Sequence, residues 1–315
     1  MNFPKVSVLI PCYNAEKWLA ATLDSVFSQT WNNIETVVVN DGSTDSSRAI
    51  LSAYENRGVK VVDQPNRGQT AALNAALAHA TGDFIQYLDA DDLLAPDKIE
   101  LQLRQLEANA GCISFAEWAR FYDDPLQADF SPRVEWQDLD PVDWLVLNWR
   151  EGGGMMYPAM WLLPIDIVRS IGPWDESLSL INDTDYFTRA VLAARQVLFC
   201  QGARTYYRSG ILGSLSGSRS AAAWLSQNKT LEKCEGYLLA KENSERTRRA
   251  CAMLWQRFAY SCYPYERRLS NAAASRAARL SPARLPHEGG LVYRLMCHFF
   301  GWRVARLAQK LAGRK

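Results

Sequence analysis

The first 110 residues repeat one pattern: a short apolar run, a polar loop, then apolar residues at helical spacing. Residues 6–10, 34–39, 59–62 and 84–88 are predominantly apolar runs of strand length. Between them Trp18, Leu19, Leu23, Val26 and Phe27 recur every three or four positions, and residues 70–79 form an Ala-rich helical stretch. Strands that read as continuous apolar runs, without alternation, are covered on both faces. The rhythm therefore predicts an α/β fold with a mostly parallel sheet sandwiched by helices. Such a sheet takes its ligands beyond the carboxyl ends of its strands.

The loops at those ends are polar and specific in composition. They read Pro11-Cys12-Tyr13-Asn14, Asn40-Asp41-Gly42-Ser43-Thr44-Asp45, Gln64-Pro65-Asn66-Arg67-Gly68 and Asp89-Ala90-Asp91-Asp92. In the last, an apolar strand with Phe84, Ile85, Tyr87 and Leu88 delivers three carboxylates into four positions. Two acids separated by one residue offer hard oxygen ligands to Mg²⁺ or Mn²⁺, which in turn neutralises a diphosphate. Capping of a helix expected over 93–108 accounts for Asp92 but not for three acids. For Asn40 to Asp45, a turn followed by a helix cap is the competing reading. No G-x-G-x-x-G and no G-x-x-x-x-G-K-S/T occurs in these loops, which argues against Rossmann cofactors and phosphate-loop nucleotidases.

With 315 residues, 48% of them hydrophobic, the chain has room for about two domains. Its net charge of +1 conceals an asymmetry. Residues 1–220 hold 17 Lys and Arg against 28 Asp and Glu, whereas residues 221–315 hold 18 against 6. An acidic, cation-using body is thus joined to a basic tail that seeks an anionic surface. Within residues 291–315, Tyr293, Met296, Phe300, Val304, Leu307 and Leu311 share one helical face, Arg294, Arg303, Arg306 and Lys310 lie on others, and no acid occurs. This predicts an in-plane helix on an anionic membrane, with docking on the acidic body as the alternative. Seven cysteines, an odd number without a C-x-x-C pair, suit a reduced compartment. No leader precedes the strand at Val6, and no apolar run reaches the roughly 18–20 residues of a membrane span. The expected location is cytoplasmic and peripheral to the cytoplasmic face of the membrane. Nucleic acid is not an expected partner.

Further motifs follow in order: Val6-Ser7-Val8-Leu9-Ile10 ahead of the first loop, Gly172-Pro173-Trp174-Asp175-Glu176, and Asn182-Asp183-Thr184-Asp185. Together with the loops above they make residues 4–217 resemble an inverting family 2 glycosyltransferase of the GT-A fold. The resemblance implies a nucleotide-sugar-binding half over 1–110, an acceptor-binding half of the same catalytic domain over 111–220, and a helical basic extension over 221–315. It implies that Pro11, Tyr13 and Asn14 border the nucleotide base and that Asp41 accepts a hydrogen bond from it. Arg67 would lie beside the base or diphosphate, Asp89 at the ribose, and Asp91 on a divalent Mn or Mg ion. Asp183 matches the general base, with Asp185 in reserve, and Trp174, Asp175 and Glu176 match the segment that shapes the acceptor pocket.

Two departures stand out. Asn182 occupies a position that is usually Glu in the family. After Tyr207-Arg208, where the family often carries a histidine before a Ser-Leu-Ser, this chain has Ser209-Gly210 and continues to Ser214-Leu215-Ser216. Arg208 remains a candidate for the diphosphate, and none of His79, His287 and His298 falls in a motif. The resemblance thus implies a metal-dependent inverting transferase. It would move a sugar from a nucleotide diphosphate donor, UDP-sugar by default, to a hydroxyl of a glycan or lipid-linked acceptor, as in polysaccharide or lipopolysaccharide assembly. A catalytically impaired sugar-nucleotide-binding scaffold and a nucleotidyltransferase are the alternatives.

Overall fold

The computed structural model describes residues 3–211, 213, 217, 219–284 and 291–311. Ser214, Leu215, Ser216, His287, the last four residues of the basic tail and the side chain of Lys310 lie outside the described residues. The chain divides into two compact units, one of Met1–Pro141 with Met156–Ser218 and the other of Val142–Met155 with Arg219–Lys315.

The first unit opens with the expected alternation: β1 (Val6–Cys12), α1 (Leu19–Phe27), β2 (Ile34–Asp41), α2 (Ser47–Glu55), β3 (Lys60–Gln64), α3 (Gln69–Ala78) and β4 (Phe84–Tyr87). There follow β5 (Leu93–Leu94), α4 (Lys98–Glu107) and β6 (Ile113–Phe121). After α5 (Pro141–Trp149), nearly all of which belongs to the second unit, come β7 (Trp161–Pro164), α6 (Ile165–Ile171), α7 (Asn182–Ala193) and β8 (Val197–Arg208). The strands form one eight-stranded sheet in the order β3-β2-β1-β4-β7-β6-β8-β5. Strands β1 to β4 pair in parallel, whereas β7 runs antiparallel to both β4 and β6.

Val8, Leu9 and Ile10 in β1, and Val37, Val38 and Val39 in β2, are consecutive and fully buried, as coverage of the sheet on both faces requires. Each such side chain contributes about 1.5–3 kcal/mol relative to exposure. Pairing Cys12 with Asn40, Asp41 with Gln64 and Leu9 with Tyr87 brings the loops after β1 to β4 to one edge. Lys98 is buried beneath this sheet, where its ammonium donates to Gln86 Oε1 and, across 3.4 Å, to the Trp161 carbonyl. Burial lowers its pKa well below the ordinary lysine value.

One local expectation is corrected here. The helix expected over 93–108 starts only at Lys98, with Asp97 at its N-cap position. Leu93 and Leu94 instead pair antiparallel with Tyr206 and Thr205, and Ala95 N donates to the Arg204 carbonyl at 3.0 Å. Asp92 thus leads into a strand and caps no helix.

The second unit is helical: α8 (Ala221–Lys241), α9 (Glu245–Cys262), α10 (Arg267–Leu280), α11 (Leu291–Phe300) and α12 (Trp302–Leu311). Ser244 and Thr247 close a reciprocal capping box at the start of α9. Glu235 of α8 accepts from Trp255 Nε1 of α9 at 2.6 Å and from Arg276 Nε of α10 at 2.8 Å, tying the three helices together. The tail expected as one helix is two, because Gly301 adopts φ +80, a left-handed conformation that ends α11. All seven cysteines are buried thiols. Among the described residues, no helix is long and apolar enough to cross a membrane.

Candidate active site

The loops after β1 and β2 are laced together by side chain to backbone hydrogen bonds. Asn14, at φ 49, donates its N–H to Ser43 Oγ at 3.1 Å and accepts from Thr44 N at 2.8 Å. Glu16 N donates to Asp45 and Ser46 N to Glu16. Pro11 sits buried at the end of β1, and Tyr13 projects with 52% of its surface open. Asp41 is buried at the end of β2. Its carboxylate accepts from Gln64 Nε2 at 2.7 Å, Arg67 N at 2.8 Å and Gly68 N at 2.8 Å, so it braces the loop that presents Arg67. The Arg67 side chain pairs with Glu176 across 3.0 Å, and Glu176 also accepts from Asn74 at 3.1 Å. The two segments expected to flank donor and acceptor therefore touch each other.

The acids beyond β4 stand beside Asp183 at the start of α7. Asp89, Asp91 and Asp183 keep part of their surface open to solvent, while Asp92 is closed off. Burial, then the charges of Asp91 and Asp183, push the Asp89 carboxyl up to about 7. Burial also raises Asp91, against the opposing charge of Arg208. Asp183 rises to about 6 through burial, moderated by hydrogen bonds from Thr184. Asp92 is raised well above its ordinary range by burial and by Asp91 and Asp89. Its Oδ1 accepts from Arg208 N at 2.8 Å, and its buried Oδ2 has no partner among the described residues. Arg208 donates from Nε to the Asp91 carbonyl at 2.9 Å and packs over the Phe121 ring at 4.3 Å.

This excess of negative charge, with one orphaned buried oxygen, fits a divalent cation. Among the described residues no three His, Cys, Asp or Glu side chains complete a protein-only cation site. Mg²⁺-type sites commonly need only one or two carboxylates when substrate phosphates supply the remaining oxygens.

Asp183 lies in the first turn of α7, directly after Ile181 and Asn182. Ile181 is β-branched yet adopts φ 50, ψ 33, a left-handed conformation that costs roughly 1–2 kcal/mol and turns the chain into the helix. Asn182 donates to Gln69 Oε1 at 3.2 Å, and Gln69 Nε2 donates to Asp89 Oδ1 at 2.8 Å.

Asp185 does not share this position. Its side chain is 1% exposed and receives Arg189 Nε at 3.3 Å and Nη2 at 3.0 Å. Arg189 in turn donates to the carbonyls of Ile171, Gly172 and Pro173. The Asp185 carboxylate, expected as a reserve base, is here engaged with Arg189, which holds the loop ahead of α7. Trp174 is buried, stacked on Tyr186 with centroids 4.0 Å apart, and bracketed by Asn74, which donates to its carbonyl and accepts from its N–H. Asp175 accepts from Ser177 N in a local turn. Gly210 has φ +83, and a Cβ on it would stand 3.0 Å from the Tyr122 ring.

Gln69, Asn74 and Gln64 were not legible as site residues. Gln64 opens the Gln64-Pro65-Asn66-Arg67-Gly68 loop and Gln69 follows that loop directly, positional signals that were available; Asn74 offered none.

A sheet with this strand order, with its acids at the edge of the parallel half, defines a GT-A fold. The chain superimposes over 98% of its length on "S. aureus TarS 1-349 in complex with UDP-GlcNAc", with a TM-score of 0.72, 17% identity and 92% of that chain covered. It also matches "Mannosyltransferase PcManGT from Pyrobaculum calidifontis in complex with GDP-Man and Mn2+", with a TM-score of 0.59, 18% identity, and 99% and 88% of the two chains covered. The chain belongs to Glycosyl transferase family 2, whose profile matches residues 7–169. The putative glycosyltransferase EpsH of Bacillus subtilis is 30% identical over 251 residues, 74% of this chain and 72% of EpsH. An uncharacterized glycosyltransferase of Haemophilus influenzae is 41% identical over 112 residues, which is 35% of this chain and less than half, 45%, of that protein.

Proposed function

We propose that the protein transfers a sugar from a nucleotide diphosphate donor, UDP-sugar by default, to a hydroxyl of a glycan or lipid-linked acceptor with inversion. The observation that carries this reading is the meeting of Asp89, Asp91 and Asp183 at the carboxyl edge of the parallel strands, close enough for the Asp183 charge to act on Asp89. TarS, crystallised with UDP-GlcNAc, and PcManGT, crystallised with GDP-Man and Mn²⁺, lend support as proteins of the same fold.

In this reading Asp91, with Asp89 beside it, holds the divalent ion. When bound, that ion supplies Lewis-acid stabilisation of the negative charge that develops on the departing diphosphate. Tyr13, Asn14 and the loop braced by Asp41 border the base, and Asp89 receives the ribose. Arg208, anchored on the Asp91 carbonyl, lends positive charge to the diphosphate side. Asp183 accepts the proton of the attacking hydroxyl, a contribution worth about 10²–10⁴-fold. Asp175 and Glu176 wall the acceptor side, with Trp174 packed behind them. An anionic membrane is the expected surrounding surface, met through the C-terminal helices.

The test is nucleoside diphosphate release from a panel of UDP-, GDP- and dTDP-sugars, with and without Mn²⁺, by wild type and Asp91→Ala. Metal-dependent release from one donor, absent in Asp91→Ala, is expected. Tight donor binding with no release under any condition would favour the scaffold alternative.

A further inference from the structure

The C-terminal helix pair divides its two sides between protein and solvent. On the inner side Cys297 and Ala305 are buried. Trp302 packs on Tyr260 and Tyr263 with ring centroids 4.6 and 5.4 Å apart, and Arg306 donates to the Tyr260 carbonyl at 3.4 Å. Tyr293 and Met296, expected on the membrane-facing apolar stripe, are instead half-buried on this inner side.

Outward, α11 exposes a different set. Leu291, Val292, Leu295 and Phe299 have 67%, 72%, 47% and 71% of their surface open. At about 100° per residue these four occupy an arc of roughly 100°. Phe300, at the C-terminal end of α11, is exposed as well, and the exposed Arg294 and His298 border the arc on the side of Leu291. In α12, Val304 and Leu311 are likewise exposed, with exposed Arg303 beside them. Helices on a water-facing body normally turn such residues inward.

We propose that this outer face of α11 and α12 is a docking surface for an anionic lipid membrane, entered by Leu291, Val292, Leu295, Phe299 and Phe300. Charge decides between lipid and a second copy of the chain. No Asp or Glu occurs from residue 291 to 311, so self-association on this face opposes Arg294 and Arg303 to their own like charges. An anionic leaflet neutralises them, and large apolar side chains flanked by arginines are the composition of in-plane membrane helices. The inference deepens the transferase reading by locating where a lipid-borne acceptor surface is met, yet it stands on residues separate from the acid cluster.

The full-length protein is tested by cosedimentation with vesicles of phosphatidylcholine alone and of phosphatidylcholine containing about one-quarter phosphatidylglycerol, in parallel with UDP and Mn²⁺ binding. Wild type is expected to bind the anionic vesicles at least about tenfold better than the neutral ones, with the difference shrinking in high salt. The double variant Leu295→Ser with Phe299→Ser loses about tenfold or more of that binding and keeps wild-type UDP affinity, which shows that it has folded. Arg294→Glu with Arg303→Glu abolishes the preference for anionic vesicles. Wild type remaining in solution with both vesicles overturns the proposal, as does a Leu295→Ser, Phe299→Ser protein that sediments like wild type. So does a wild-type dimer that these substitutions split without changing lipid binding. Failure of UDP binding with vesicle binding intact counts against the transferase reading alone.

Discussion

Gln69 Nε2 donates to Asp89 Oδ1 across 2.8 Å, while the oxygen of the same amide accepts from Asn182, 113 residues away in sequence. With its NH₂ given to Asp89, Gln69 presents its oxygen to α7, where Asn182 donates to it. The residue at 182 must then donate, which asparagine does and an ionised glutamate does not. The departure from the family's usual Glu at this position is thus matched by Gln69.

Removing that bridge should loosen Asp89 without touching the core. Hydrogen bonds to charged groups are worth about 1.5–3 kcal/mol. Gln69→Ala is expected to weaken UDP binding by about tenfold in calorimetry; an unchanged affinity would remove Gln69 from the site.

Burial lifts the Asp183 carboxyl to about 6. A general base works ionised, so kcat/KM for donor turnover should fall as pH drops through about 6 and level off above it. The residual activity of Asp183→Asn should lack this acidic limb. A limb of the same position in that variant would assign it to another group.

The same shift has a consequence for stability. Because the folded-state pKa of Asp183 is raised, the native protein holds that proton more tightly than the unfolded chain, and stability declines as pH rises from about 4 through about 6. Asp183→Asn should therefore melt several degrees higher than wild type near pH 8 and show little difference near pH 4. A lower melting temperature at pH 8 would contradict the burial argument.

Asp185→Asn should behave differently. It leaves Arg189, only 15% exposed, beside a neutral partner, and breaking a buried pair costs about 3–5 kcal/mol. Urea unfolding should show that loss, while turnover per folded molecule stays within about threefold of wild type, since a general-base role would cost about 10²-fold or more. A stable protein without turnover would restore Asp185 as a base.

Addition of Mn²⁺ with UDP should raise the melting temperature of the wild type, since a ligand at 100 times its Kd stabilises by about 2.7 kcal/mol. Asp91→Ala should lose the Mn²⁺-dependent part and retain a smaller shift with UDP alone. Equal Mn²⁺-dependent shifts in both proteins would place the cation elsewhere.

The parallel half of the sheet was legible because burial on both faces leaves a direct imprint: Val8 to Ile10 and Val37 to Val39 are consecutive apolar residues, and β1 and β2 enclose them. The acids at the ends of β2 and β4 were legible because an apolar strand rarely ends in clustered charge for packing alone. What stayed hidden was partnership. Asp183 and Asp185 are two residues apart in one helical turn, and only the position of Arg189 and the carbonyls of residues 171–173 separates a solvent-reachable carboxylate from a buried ion pair. The tail misled because a run of residues spaced by three and four reads as one helix, whereas a left-handed Gly301 restarts the helical phase.

The most direct test is a paired measurement on Asp183→Asn: UDP-sugar binding with Mn²⁺ by calorimetry, and turnover of the same donor. The account predicts donor affinity within about threefold of wild type together with turnover slower by at least about 10²-fold, because loss of a base acts on the transition state. Donor affinity lost with turnover per bound donor preserved would contradict it, and would make Asp183 a ligand for the nucleotide.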